Sequence, residues 1–323
     1  VWLKAPVLMI CTASKRIRNS LIPCVLPCRG FAVLAHKWAQ AAADAQVPPT
    51  SRKRVVILLH GILGQKSNWN TPAKRLLNQI GPLGWQVLQI DHRAHGQSPA
   101  GEPPHTLQAC AKDLMDTLLA AGVQIDDDEL VVCGHSFGGK VALTFLQERL
   151  RSGAPPPRMT WLFDSIPGRP VEYSAEQQKR EQSVSFVLRA VETVAKSGVH
   201  KDRSSLVHIL MEEQGLSKPL AQWVAQNVRT TPDGVQFSYD LTAVRALYTS
   251  YLATDLWNVL EEGMADIGVI VAGRNMHAWG SQNLKRLENC GPRVTKVTLE
   301  SAGHNVHVDD LNGLLEALET TFT

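Results

Sequence analysis

Cysteine is scarce in this 323-residue chain, with six in all, and they are scattered. Cys11, Cys24 and Cys28 lie near the start, while Cys110, Cys133 and Cys290 stand far apart. No Cys-x-x-Cys pair or Cys/His ligand cluster occurs, which excludes a disulfide scaffold and gives no structural metal site. Reduced thiols in an intracellular compartment fit this usage. Long apolar runs are missing too: the stretch 7–11 near the start is far too short to span a bilayer. Charge of one sign is also lacking, with 33 Lys and Arg against 30 Asp and Glu. Even the small excess is uneven. Residues 1–43 contain Lys4, Lys15, Arg16, Arg18, Arg29 and Lys37 and no acid, so the rest carries 27 basic against 30 acidic side chains. A mildly acidic body gives no reason to expect a nucleic-acid partner.

What the start does contain is Thr12, Ser14 and Ser20 among its basic residues, the composition of an organelle transit peptide. A secretory signal fits less well, because basic residues interrupt the apolar stretches; a plain basic tail is the simpler alternative. The chain begins at Val1 rather than Met, so the natural start is expected upstream. The expected division is a leader over 1–30 and a globular body over 31–323. Its 44% of hydrophobic residues is ordinary for a folded core.

Beyond Pro48 and Pro49, which read as a linker, apolar branched runs alternate with helical spacing. Strands are expected at 54–60, 85–91, 130–133 and 159–164, with helices at 71–80, 105–121 and 139–150. Pro72 suits a first helical turn, and Thr106 can cap a helix whose apolar face is Leu107, Ala111, Leu114 and Leu118. Such alternation implies a parallel sheet covered by helices on both faces. It stops at about 166 and resumes only with strands at 267–272 and 294–300 and a helix at 311–320. The intervening 166–258 is too long for a loop, and its helical candidates at 182–196, 204–214, 218–227 and 243–256 indicate an inserted helical cap. Pro219, Pro232 and Gly234 mark turns within it.

The strand at 130–133 runs into Gly134-His135-Ser136-Phe137-Gly138, followed directly by a helix. A Gly-x-Ser-x-Gly turn reverses a strand sharply into a helix and exposes its serine in a strained conformation. The free N–H groups and dipole of that helix favour an anion beside Ser136. Ser136 is therefore the candidate nucleophile, and its base is sought on a loop after the carboxyl end of a strand. His304 holds that position after the last strand; His307 is its competitor, and His304 with Asp309 also forms a short His-x₄-Asp acyltransferase pattern. For the orienting acid, the loop after 267–272 offers only Gly273, Arg274, Asn275 and Met276. Asp266 precedes that strand, at the wrong end of the sheet. Asp164 ends the strand after the nucleophile and is assigned as the acid. A carboxylate there is costly unless paired or hydrogen-bonded. The backbone N–H groups of Ile62 and Phe137 are the oxyanion candidates. His60 and the histidine-rich stretch 91–98 read as structural, pinning the strand ends. Trp223, Trp257 and Phe186 are candidate lining residues for an apolar acyl group.

Together, His60-Gly61, Gly134–Gly139 and Gly303-His304 resemble the α/β-hydrolase superfamily. The runs His60–Trp69, Gly134–Lys140 and Gly303–His307 are similar to the branch containing α/β-hydrolase domain-containing protein 11. Residues 162–168, 221–224 and 255–258 are similar to its plant plastid-type relatives. The resemblance covers about 31–323. It implies an eight-stranded, mostly parallel sheet, a helical cap, no cofactor, and hydrolysis of ester or thioester bonds of a small acyl substrate. In this branch the acid can follow the strand after the nucleophile, which independently points to Asp164. Epoxide opening in this fold uses a carboxylate nucleophile, so Ser136 argues against it. The alternatives are a ligand-binding receptor on the same fold and an acyltransferase. Resemblance to plant forms favours a plastid, then a mitochondrion.

Overall fold

The computed structural model describes residues 32–40, 52–170, 174–180 and 183–322. The expected leader and the Pro48–Pro49 linker lie outside these residues. Nine strands are present among them: β1 (His36–Trp38), β2 (Arg54–Leu59), β3 (Trp85–Ile90), β4 (Glu129–His135), β5 (Met159–Phe163), β6 (Val228–Thr231), β7 (Gly234–Phe237), β8 (Ile267–Ala272) and β9 (Val294–Leu299). The main sheet runs β1-β3-β2-β4-β5-β8-β9, and only β1 is antiparallel to its neighbour. It therefore has seven strands among the described residues, not eight. The figure of eight came from resemblance alone. The chain offers six branched apolar runs, and β1 adds one short antiparallel edge.

The helices are α1 (Asn70–Ile80), α2 (Leu107–Ala120), α3 (Phe137–Arg151), α4 (Ala175–Arg180), α5 (Val184–Ala195), α6 (Arg203–Glu212), α7 (Lys218–Val224), α8 (Leu241–Ala253), α9 (Trp257–Glu261), α10 (Met276–Glu288), α11 (Val306–Asp309) and α12 (Leu311–Glu319). The Thr106 side chain accepts from Ala109 N–H at 3.2 Å and caps α2. Side chains alternate across a strand, so each central strand feeds two cores. Val55, Ile57 and Leu59 of β2 join Val132 of β4 beneath α2 and α3, while Val56, Leu58 and Val131 face α1 and α12 on the other side. Near-complete burial of β2, β4 and β8 reflects this double cover.

Between β5 and β8 lie α4 to α9 and the antiparallel hairpin β6–β7. Pro232 and Gly234 do mark a turn, but Pro219 sits in the first turn of α7, where its missing N–H costs nothing. The hairpin was not anticipated: its strands, Val-Arg-Thr-Thr and Gly-Val-Gln-Phe, are short and mostly half-buried or exposed. A third edge segment completes it, since His200 exchanges both backbone hydrogen bonds with Val235 at 2.8 and 2.7 Å.

Candidate active site

Ser136 is the single residue between β4 and α3, with φ 51° and ψ −114°. Such a positive φ is strained for a non-glycine residue and needs enforcement. Enforcement comes from β5 and the turn after it: Ser136 N–H donates to Phe163 O at 3.0 Å, and Ser165 Oγ donates to Ser136 O at 2.6 Å. The flanking glycines are required by contact. A Cβ on Gly134 would collide with the Gly138 carbonyl, and one on Gly138 with the carbonyls of Leu59 and His60.

Asp164 also has a positive φ, 44°, where the chain leaves β5. Its buried carboxylate accepts from Ala272 N–H at 3.1 Å, Trp279 Nε1 at 2.8 Å, Asn275 Nδ2 at 2.6 Å and His304 Nδ1 at 2.7 Å. Burial pushes its pKa up, but the hydrogen bonds from His304, Trp279 and Asn275 outweigh this and hold it below the usual carboxylate range. The imidazole of His304 is 39% exposed and shares a cavity with Ser136. Asn275 thus occupies the loop that lacks a carboxylate and uses its amide to support Asp164.

Neither Ile62 N–H nor Phe137 N–H has an acceptor among the described residues. Ile62 is held through Leu63, itself at φ 60°. The Leu63 N–H donates to His95 Nε2 at 3.1 Å, and its carbonyl accepts from Tyr239 Oη at 2.5 Å and Asn227 Nδ2 at 3.1 Å. Asn227 and Tyr239 flank the hairpin, so the inserted segment grips the β2 loop. Nothing in the local sequence signals this, because the pairs are more than 160 positions apart.

The histidines packed behind the site are buried, and most are pinned by backbone groups. His60 Nε2 accepts from His92 N–H at 3.0 Å while Nδ1 bonds to Gly61 O at 2.8 Å. His92 Nε2 meets His60 O at 3.0 Å, and His95 Nδ1 meets Arg93 O at 2.9 Å. Desolvation lowers the pKa values of His60, His92 and His135, that of His95 to about 4 and that of His307 to about 3. His135 Nε2 bonds to the His304 carbonyl at 2.8 Å, while His307 packs 4.4 Å from the Trp69 ring. Asp309 does not join His304; its carboxylate accepts from Gly303 N–H at 2.8 Å.

A buried lysine follows the serine turn. Lys140 Nζ donates to Tyr251 O at 2.8 Å and Thr254 O at 2.9 Å, tying the end of α8 to α3, and burial lowers its pKa to about 7. The Tyr251 phenol above it faces the Ser136 side chain and is kept protonated by burial.

The cavity at Ser136 has a small chamber of about 120 Å³ and a wide cleft of about 1060 Å³. Trp223 lines both. Trp257 lines neither: it is 1% exposed and packs with Leu143, Leu146, Leu260 and Trp279. That assignment is corrected, because the large apolar ring completes a core beneath α9 instead of facing substrate. Phe186 likewise packs against the core under α5. Among the described residues no cluster of His, Cys, Asp or Glu could hold a metal, and no helix is long and apolar enough to cross a membrane.

A parallel sheet with a strained serine at a strand-to-helix turn, and an Asp–His pair on neighbouring loops, defines the α/β hydrolases. The chain belongs to the alpha/beta hydrolase family, whose profile matches residues 56–317. It is 27% identical over 275 residues to the Xenopus laevis sn-1-specific diacylglycerol lipase ABHD11, covering 81% of this chain and 78% of that protein. It is 35% identical over 106 residues to the Mus musculus protein of the same name, covering 33% and 30% respectively. Among solved structures, a marine microorganism esterase superposes with a TM-score of 0.69 at 16% identity, over 90% of this chain and 99% of that one. That likeness shows the fold. With these relatives, the chain is an enzyme of the carboxylic ester hydrolase class.

Proposed function

We propose that the chain hydrolyses carboxylic esters or thioesters through Ser136, His304 and Asp164, by way of an acyl-enzyme. The observation that carries this reading is the 2.7 Å contact between His304 Nδ1 and Asp164, beside a serine held at φ 51°. Asp164 fixes the tautomer that leaves His304 Nε2 free to accept the Ser136 proton. Ser136 Oγ then bonds the carbonyl carbon, and the displaced electron pair becomes an oxyanion held by Ile62 N–H and Phe137 N–H. Collapse breaks the bond to the leaving alcohol or thiol, which takes the proton from His304. Water repeats the sequence and releases the acid.

Asp164 is suited to this role because its four donors keep it ionised while excluding water. Because two relatives are named diacylglycerol lipases, glycerides join simple esters as the substrates to test. We propose an organelle address for residues 1–30 on their composition, a plastid by the resemblance to plant forms with a mitochondrion as the alternative, to be read from where a fluorescent fusion of that leader accumulates. For the chemistry, the test is a p-nitrophenyl butyrate assay of the full chain beside Ser136→Ala. Turnover in the parent and none in the variant is expected; equal rates would remove Ser136 from the reaction.

A further inference from the structure

The cavity beside Ser136 branches unevenly, into a narrow chamber of about 120 Å³ and a wide cleft of about 1060 Å³ that share the wall nearest the serine. The walls of the chamber are Ile62 and Leu63 from the β2 loop, Val184 and Val187 from α5, and Leu220 and Trp223 from α7. Several polar groups that also border it are already engaged. His60 is satisfied by His92 N–H and Gly61 O, and His135 Nε2 by the His304 carbonyl. Asn68 Oδ1 accepts from Gln65 N–H at 2.7 Å. His307 Nδ1, which has no partner among the described residues, has almost no accessible surface. The chamber therefore offers a ligand mainly apolar contact along these walls, with the polar side chains of His304 and Asn305 on the side it shares with the cleft.

Its wall is also fixed in place. The Leu63 backbone is gripped by His95 on one side and by Asn227 and Tyr239 on the other, so the main chain there cannot retreat to admit a longer group without breaking three hydrogen bonds. An apolar cavity of about 150 Å³ holds a benzene ring, so about 120 Å³ takes a group of roughly four to six carbons. The wide cleft is different. It reaches the surface past the exposed residues Arg169, Ser217, Gln226, His277 and Val308.

The two halves of an ester make different demands. The leaving group must depart and water must enter while the acyl group stays bonded to Ser136. The wide branch, with room for the leaving group and for water, suits the departing half, and the narrow branch suits the half that stays. We infer that the chamber bounded by Leu63, Val187, Leu220 and Trp223 is a short-acyl site, selecting unbranched acyl groups of about four to six carbons, and that the wide cleft takes a much larger alcohol or thiol portion. This rests on the serine hydrolase reading above.

The test is a p-nitrophenyl ester series from acetate to palmitate on the full chain, with Val187→Phe and Trp223→Ala in parallel. Burying a methylene is worth about four-fold in kcat/KM, so the parent should climb by roughly that factor per carbon to an optimum at butyrate to hexanoate and fall beyond octanoate. Val187→Phe should move the optimum to acetate, and Trp223→Ala should move it at least two carbons longer. Labelling of each variant by a small ethyl fluorophosphonate reports that Ser136 is intact. An optimum at dodecanoate or longer, or one that neither variant moves, in protein that still labels, overturns the chamber assignment and leaves the hydrolase reading standing. No hydrolysis and no labelling in the parent overturns both.

Discussion

His304 and the histidines packed behind it are the same residue type within one small volume, yet their surroundings divide them. His60, His92 and His95 are buried, pinned by backbone groups and held neutral by desolvation. His304 is part-exposed and donates to a carboxylate that is itself saturated with hydrogen bonds. A ring nitrogen engaged by an N–H or carbonyl fixes a loop; one left free beside a serine can move a proton. Partners decide the role, and the residue type does not.

Breaking this contrast at His304 should have the largest effect. His304→Ala is expected to lower kcat by about 10⁴-fold or more while the melting temperature stays close to the parent's. Asp164→Asn should cost roughly 10⁴-fold in kcat, because an amide can favour the wrong His304 tautomer. Stopped-flow or endpoint ester assays, with circular dichroism as the fold control, read both. Near-parental turnover in Asp164→Asn would transfer the orienting role elsewhere.

On the structural side of the comparison the signature is stability. Trp257→Ala should cost about 3–5 kcal/mol in denaturant unfolding and leave KM unchanged, since the ring fills a core and touches no cavity. Tyr239→Phe should lower kcat by roughly ten-fold with little change in KM, because it loosens Leu63 and hence the neighbouring Ile62 N–H without removing that donor. A larger effect on KM than on kcat would separate the Leu63 grip from the oxyanion. The buried histidines also predict a pH dependence. Their folded pKa values lie below the unfolded value near 6.5, so the unfolded chain binds more protons and stability falls as pH drops below about 6.5. Each contributes a loss of about 1.4 kcal/mol per pH unit down to its folded pKa, about 4 for His95 and about 3 for His307. His92→Phe should flatten that slope in melts between pH 7 and 4.

The parallel strands were legible because each central strand is a branched apolar run, and the helices because their apolar faces recur at helical spacing. Ser136, Asp164 and His304 could be found as a group because each stands where a strand ends. β1 was missed, being three residues, His-Lys-Trp, with no apolar pattern. The β6–β7 hairpin was missed because its strands are only four residues long and its support comes from distant His200. Trp257 misled for the opposite reason: a tryptophan in a helical segment looks alike whether it faces a substrate or a core. The grip of Asn227 and Tyr239 on Leu63 and the Lys140 tie to α8 involve partners over 100 residues apart. Only the folded chain reveals them.

The most direct test of the proposed chemistry is the intact mass of the full chain after treatment with a fluorophosphonate, followed by peptide mapping. A single adduct on Ser136 is predicted, slowed by orders of magnitude in His304→Ala and absent in Ser136→Ala. An adduct that persists undiminished in Ser136→Ala, or a parent protein that never labels, would contradict it.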